Sequence, residues 1–436
     1  MQHIHIPGDS NLIFFKSGTG ARALTLCLIA LTWPQAGSAG LSIFEHGNGI
    51  KSQGVGGVSY VLGDESTSLV GNPAHVYHLD EGFDIGINML SPNIQVRYRG
   101  NAAGPDRNFK NHSDTFLPVP QGGWIGRLGP DWKVGVAAFT AGLISDFDSS
   151  PYARFGSDPR ANLQLTNAGA VVATAVELFP NQTLGASLSL GYQTIRVNGV
   201  QFAQGVSESP ENVTNRGKDG APNVGFTLGW LGRFGDHWSA ALAYRSKTFT
   251  EKHDEYAGLL PDQGRFEAPQ IYGAGIAFKP VANWTFAAEW QHYHHSSEPA
   301  FDNNVSALND GHLFGTKQGP GFGYENIDAI KLGVEWQARA DLILRAGFLT
   351  SNQAGRPGNT FINALGPITI TDKYTAGLTY TLRGWELSSY VAHSPHQKVS
   401  GENSIPPALG GGEMDLSFEF VSFGFALGRG FGQQRD

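Results

Sequence analysis

From about residue 82 onward, fourteen segments of this chain alternate apolar and polar side chains, and the connections between them alternate strictly between short and long. The segments run roughly over 82–99, 115–128, 131–147, 163–178, 183–200, 223–234, 237–249, 268–279, 283–295, 326–338, 341–352, 371–383, 385–396 and 413–428. Short connections include Gly129-Pro130-Asp131, Phe179-Pro180-Asn181-Gln182, Gly235-Asp236, Pro280-Val281-Ala282, Arg339-Ala340 and Arg383-Gly384. The long ones cover 100–114, 148–162, 201–222, 250–267, 296–325, 353–370 and 397–412, and are polar and rich in Gly, Pro, Asn and Ser.

This rhythm predicts an all-β fold, a 14-stranded antiparallel transmembrane β-barrel over residues 82–436, with short turns at the periplasm and long loops outside. In lipid every backbone N–H and C=O needs a partner, so a spanning sheet must close on itself. In the first segment Phe83, Ile85, Ile87 and Met89 share one face, opposite Asp84, Gly86 and Asn88. Composition agrees: 58 of 436 residues are Gly, 11% are aromatic and only 16% are charged. A soluble propeller of this length would show blade repeats, and no internal repeat is seen.

Residues 1–39 read as an export signal. Lys16 and Arg22 precede the apolar run 23–31, and the small residues Ala36-Gly37-Ser38-Ala39-Gly40 suit cleavage after Ala39. The single cysteine, Cys27, falls inside this signal, so the mature chain is expected to have no disulfide and no thiol chemistry. No later run reaches the roughly 20 apolar residues of a spanning helix. The negative charge, −8 overall, does not suggest a nucleic-acid partner.

Residues 40–81 are left over before the wall begins. They hold Gly47, Gly49, Gly54, Gly56 and Gly57 among apolar side chains, then Gly63-Asp64-Glu65-Ser66-Thr67-Ser68 and Asn72-Pro73-Ala74. Such a segment can fold inside a barrel and plug it. Asn72-Pro73 has local turn chemistry, because Pro sets φ and gives up a donor while Asn bonds nearby backbone. It serves either as a plain turn into the wall or as a latch for the plug.

This small-residue and acidic stretch, followed by Asn-Pro-Ala and strand one, resembles the N-terminal hatch of the FadL family of outer-membrane transporters. Ala243-Tyr244-Arg245-Ser246-Lys247, Lys279-Pro280 through Trp284-Thr285, and Leu344-Arg345-Ala346-Gly347-Phe348 resemble further family segments. His75, where Gly is common, and Leu349-Thr350-Ser351-Asn352 depart from the family pattern. The resemblance implies passive transport of hydrophobic small molecules, with long-chain fatty acids ahead of aromatic or alkane hydrocarbons. Long loops capture the cargo, a lumen pocket holds it, and it leaves sideways through a gap made by a kinked strand three beside the hatch. The expected surroundings are outer-membrane lipids and lipopolysaccharide, and the expected state is a monomer without a cofactor.

In strand three the alternation blurs at Ala141-Gly142, and a strand Gly marks a bulge or a close approach. The gap is therefore expected at Thr140, Ala141, Gly142 and Leu143, with Asn72, Pro73 and Ala74 fixing the hatch beside it. Carboxylate capture needs a cation, and Arg196, Arg245, Lys247, Lys331 and Arg345 lie on expected strands. Such residues either anchor a ligand or snorkel at the membrane rim. The acid in Tyr324-Glu325-Asn326, where relatives can carry a base, leaves room for an uncharged cargo. Gln291-His292-Tyr293-His294-His295 lacks the carboxylate or Cys framework of a metal site and reads as a strand end near an aromatic belt. No G-x-S-x-G elbow supports a lipid hydrolase, the second class considered, and a structural or adhesive barrel is the third. No enzymatic activity is expected.

Overall fold

The computed structural model describes residues 43–44, 47–112, 116–129, 132–368 and 370–430. The expected export signal and Cys27 lie outside these residues.

The wall has fourteen strands: β1 (Gly82–Arg99), β2 (Leu117–Arg127), β3 (Lys133–Phe147), β4 (Ala161–Phe179), β5 (Gln182–Asn198), β6 (Asp219–Phe234), β7 (Trp238–Arg245), β8 (Ile271–Val281), β9 (Trp284–Tyr293), β10 (Ile327–Arg339), β11 (Leu342–Ser351), β12 (Asp372–Leu382), β13 (Trp385–Val399) and β14 (Glu413–Gly430). Each pairs antiparallel with the next, and β14 returns to β1 in one unbroken ladder from Gly82↔Gly430 to Arg99↔Glu413. Both ends of the wall thus lie at the short-turn end. Two short strands, Asn108–Lys110 and Phe249–Thr250, add to β1 and β6.

The period-two pattern becomes two faces. Val176, Leu184, Trp230 and Leu242 are successive cross-strand neighbours on the lipid side, and Val176, Leu184 and Leu242 are exposed. Shifted along the ladders, Ala173, Ser187 and Thr227 are neighbours on the inner face and are buried. The strand expected over 237–249 ends early. After Arg245 the Ser246 N–H still donates to the Phe226 carbonyl at 2.9 Å, but the Phe226 N–H is taken by the Ser246 hydroxyl at 3.0 Å.

The lumen has two layers. At the loop end an apolar core joins inner-face residues such as Leu163, Ile195 and Phe418 to loop residues such as Phe266, Phe301 and Phe361. At the turn end the leading segment fills the barrel, with α1 (Ile50–Gly54), a 3-10 turn (Ser66–Val70) and α2 (His75–His78). All of α1 is buried.

Candidate functional site

The leading segment sits where the wall lacks side chains. A Cβ on Gly229 of β6 would lie 1.9 Å from Asn72 Oδ1, and one on Gly185 of β5 would lie 2.3 Å from the Ala74 nitrogen. The Asn72 side chain is used fully. Its Oδ1 accepts the Ala74 N–H at 3.0 Å, and its amide donates to the carbonyls of Tyr60 (2.8 Å) and Trp230 (3.2 Å). Pro73 supplies the turn that needs no donor. Asn72, Pro73 and Ala74 therefore seat the plug on β5 and β6, not on strand three as expected. Only glycines at 185 and 229 let the turn come that close, and their partners lie over a hundred residues away in sequence.

The cations proposed for a ligand mostly hold the plug. Lys331 and Glu289 form a buried pair at 3.5 Å. Lys331 donates to the Gly57 carbonyl at 2.9 Å, and Glu289 accepts the N–H groups of Ser59 (2.9 Å) and Tyr60 (2.7 Å). Arg345 bridges Glu335 and the plug's Asp64, both at 2.6 Å. Arg245 donates to the Val70 carbonyl and lies over the Phe44 ring. Lys247 sits outside the wall ladder between Glu267 (2.7 Å) and Glu298 (3.5 Å). Arg196 is exposed on the outer parity of β5.

Among the described residues, the ladder between β2 and β3 is cut short. Their ladder runs from Arg127↔Lys133 only to Gly122↔Ala138. Beyond it, Leu117–Gln121 of β2 pairs with β1 alone, and Phe139–Phe147 of β3 pairs in register with β4 alone. The His112 N–H, bonded to the Asp146 carbonyl at 2.8 Å, closes the opening above. The window therefore spans about seven residues of β3, roughly 20 Å. Thr140, Ala141, Gly142 and Leu143 all lie on its edge. β3 shows no register shift against β4, so the expected bulge is replaced by a lost pairing on the other side.

Pro118 and Pro120 fall in the part of β2 that has left β3. Proline cannot donate to a ladder and belongs on strand edges. Leu117-Pro118-Val119-Pro120 was thus a readable signal for the window, and it was missed. The window is not empty: the Gly142 N–H donates to the carbonyl of Ile43, at the start of the plug, at 2.6 Å.

Above the plug lies a small apolar cavity of about 40 Å³, lined by Leu163 and Leu165 of β4, Ile195 and Val197 of β5, and loop residues including Phe266, Phe322, Ile362 and Leu365. No charged side chain lines it. Below the plug a cavity of about 940 Å³ has a polar lining that includes Asp64, Glu65, Asp84, Glu386, Arg383 and Arg429. A concavity of about 1190 Å³ is lined by outward residues such as Leu184, Leu228 and Leu242 and belongs to the lipid face.

His292 bonds Asp328 at 3.0 Å and His295 is buried with its Nδ1 on the Glu325 carbonyl at 2.7 Å. Burial of His295 holds its pKa down, at about 4. Among the described residues no His, Cys, Asp or Glu cluster could hold a metal ion.

A family model described as "Outer membrane protein transport protein (OMPP1/FadL/TodX)" matches residues 29–392. The fold is similar to the toluene transporter TodX of Pseudomonas putida, with a TM-score of 0.68 at 16% identity over 89% of this chain and 100% of that one. It is similar to a FadL homologue of Pseudomonas aeruginosa (0.66, 14%, covering 89% and 100%). It is also similar to the toluene transporter TbuX of Ralstonia pickettii (0.60, 14%, covering 88% and 99%). No curated protein sequence matches the chain. The likenesses to solved structures concern the fold; the family model spans most of the sequence. The chain belongs to the OMPP1/FadL/TodX family of outer-membrane transport proteins, which move hydrophobic compounds passively across that membrane.

Proposed function

We propose that this barrel carries neutral hydrophobic molecules of monoaromatic size, which leave sideways through the β2–β3 window into the bilayer. The observation that carries the reading is the apolar cavity above the plug, whose lining holds no cation to meet a carboxylate. Arg245, Lys331 and Arg345 are committed to the plug. The names of TodX and TbuX as toluene transporters support the same cargo class.

Energetics favour the sideways route. A single ring buries roughly 200 Å², worth roughly 5 kcal/mol at 25 cal/mol per Å². Downward passage would lead this ring past Lys51, Asp64 and Glu386 into a polar vestibule. Sideways passage keeps it in apolar surroundings. Diffusion down a gradient needs no energy source.

A long-chain fatty acid is the second reading. It rests on Lys247, which is 35% exposed, is held loosely by Glu298, and is joined to Glu267 beside the cavity-lining Phe266. Uptake of labelled toluene and of labelled palmitate, by cells carrying the wild-type barrel or Lys247→Met, tests both readings. The neutral reading expects toluene uptake that Lys247→Met leaves within two-fold. Palmitate uptake without toluene uptake, lost in Lys247→Met, would overturn it.

A further inference from the structure

We propose that the buried turn Ile362–Gly366, in the connection between β11 and β12, is an inner partition between the apolar cavity and the wall window, and that Ser145 of β3 latches it shut. The proposal rests on the transport reading above and adds a regulated step to it.

Three observations place the partition. First, Ile362 and Leu365 form part of the cavity wall. Second, Gly366 stands between cavity and window. A Cβ built on it would meet Leu163 at 3.1 Å and Phe322 at 3.2 Å, both cavity residues, and Leu143 of the window edge at 3.2 Å. Leu143 and Leu163 lie on adjoining strands, and the turn packs over both of them. Third, the turn is held by side chains rather than by a ladder. The Ser145 hydroxyl donates to the Leu365 carbonyl at 2.5 Å, and the Tyr324 hydroxyl donates to the Gly366 carbonyl. The Asn363 amide donates to the Phe322 carbonyl at 2.6 Å.

The size of the cavity requires movement. About 40 Å³ is open, whereas an apolar cavity of about 150 Å³ is the scale that takes benzene. The cavity must enlarge before a ring can enter, and the wall strands Leu163, Leu165, Ile195 and Val197 are fixed in continuous ladders. The loop side has to give. Ser145 and Leu143 lie on the same inward parity of β3, so the residue that latches the turn is two positions from the window residue the turn covers. Breaking the Ser145–Leu365 bond frees the turn to shift, enlarging the cavity and opening it toward Leu143 in one motion. Ser145 is a positioning residue here; it does not line the cavity.

The test is a reversible lock. Cys27 is the single cysteine, so the pair Leu143→Cys with Gly366→Cys can be oxidised selectively in a Cys27→Ser background. In intact cells carrying the barrel, uptake of labelled toluene by the oxidised pair is expected to be at least ten-fold lower than by the same protein after reduction. Transport that is equal before and after reduction, with the crosslink verified by mass, overturns the partition. If the disulfide does not form, Ser145→Ala decides. Losing one hydrogen bond of ordinary net strength shifts an opening equilibrium roughly five-fold, so initial uptake should rise by that factor. An unchanged or lower rate overturns the latch. A wild-type barrel that carries no toluene overturns the transport reading itself, and the partition with it.

Discussion

The carbonyl oxygen of Ile43 accepts the amide proton of Gly142 at 2.6 Å, so the start of the plug is bonded to the edge of β3 that faces away from β4. An exposed strand edge in lipid is costly, because its N–H and C=O groups find no water there. The plug therefore does two things. It packs inside the barrel at the turn end against the inner face of the wall, and its first described residue accepts the N–H of Gly142.

Gly142 has no side chain to fill the window. Gly142→Arg should lower toluene uptake at least ten-fold while leaving assembly intact, since residues 134–147 keep their ladder with β4. Heat-modifiable migration of the folded barrel and uptake by cells, measured together, check this. Normal uptake by a correctly folded variant would tell against the placement of the window.

Seating of the plug depends on Asn72 and on the bare backbone of Gly229. Asn72→Ala removes one acceptor and two donors from a buried turn, and should loosen the plug by about 1–3 kcal/mol. Gly229→Leu would place atoms on top of the Asn72 side chain. Both variants should make amides of residues 50–78 exchange faster while the wall amides keep their protection, and both should raise permeability to polar dyes. Unchanged plug exchange in Gly229→Leu would contradict this seating.

The Glu289–Lys331 pair is buried, and each partner also holds plug backbone. Lys331→Met alone leaves a buried carboxylate without its counter-ion, which costs about 3–5 kcal/mol. Glu289→Gln together with Lys331→Met should recover part of that loss. Thermal release of the plug, followed by protease sensitivity of residues 47–81, reads the ordering: wild type most stable, double variant next, Lys331→Met least.

Glu298 in the loop after β9 is 4% exposed on its side chain, and burial is the main force raising its pKa to about 7, against the opposing pull of Lys247. A carboxyl raised in the folded state holds a proton that the unfolded chain has already lost. Its contribution to loop stability is therefore fully present below the ordinary carboxyl range near 4.5 and disappears as pH rises through about 7. Amide protection over residues 295–310 should weaken between pH 5 and pH 8, and Glu298→Gln should flatten that dependence.

The barrel was legible because alternation and loop length are local signals. The expected limits 82–99 and 385–396 fall on β1 and within β13, and both termini of the wall lie at the short-turn end as expected. What was not legible came from contacts distant in sequence. Nothing near Asn72 names Gly185 or Gly229 as its seat, and nothing near Lys331 or Arg345 says that the plug rather than a ligand will claim them. The expectation for Thr140–Leu143 rested on a weakened alternation, yet β3 keeps an unshifted register with β4 across these residues. The prolines of the neighbouring strand, at 118 and 120, carried the stronger physical reason.

The path of the cargo can be read directly by photolabelling. A diazirine-bearing monoaromatic compound, flashed during transport through the wild-type barrel, should leave adducts on the cavity residues Leu163 and Phe322 and on the window residues Val119 and Leu143. Adducts on the cavity and then on vestibule residues such as Ile343 and Ile125, with none at the window, would contradict sideways exit between β2 and β3.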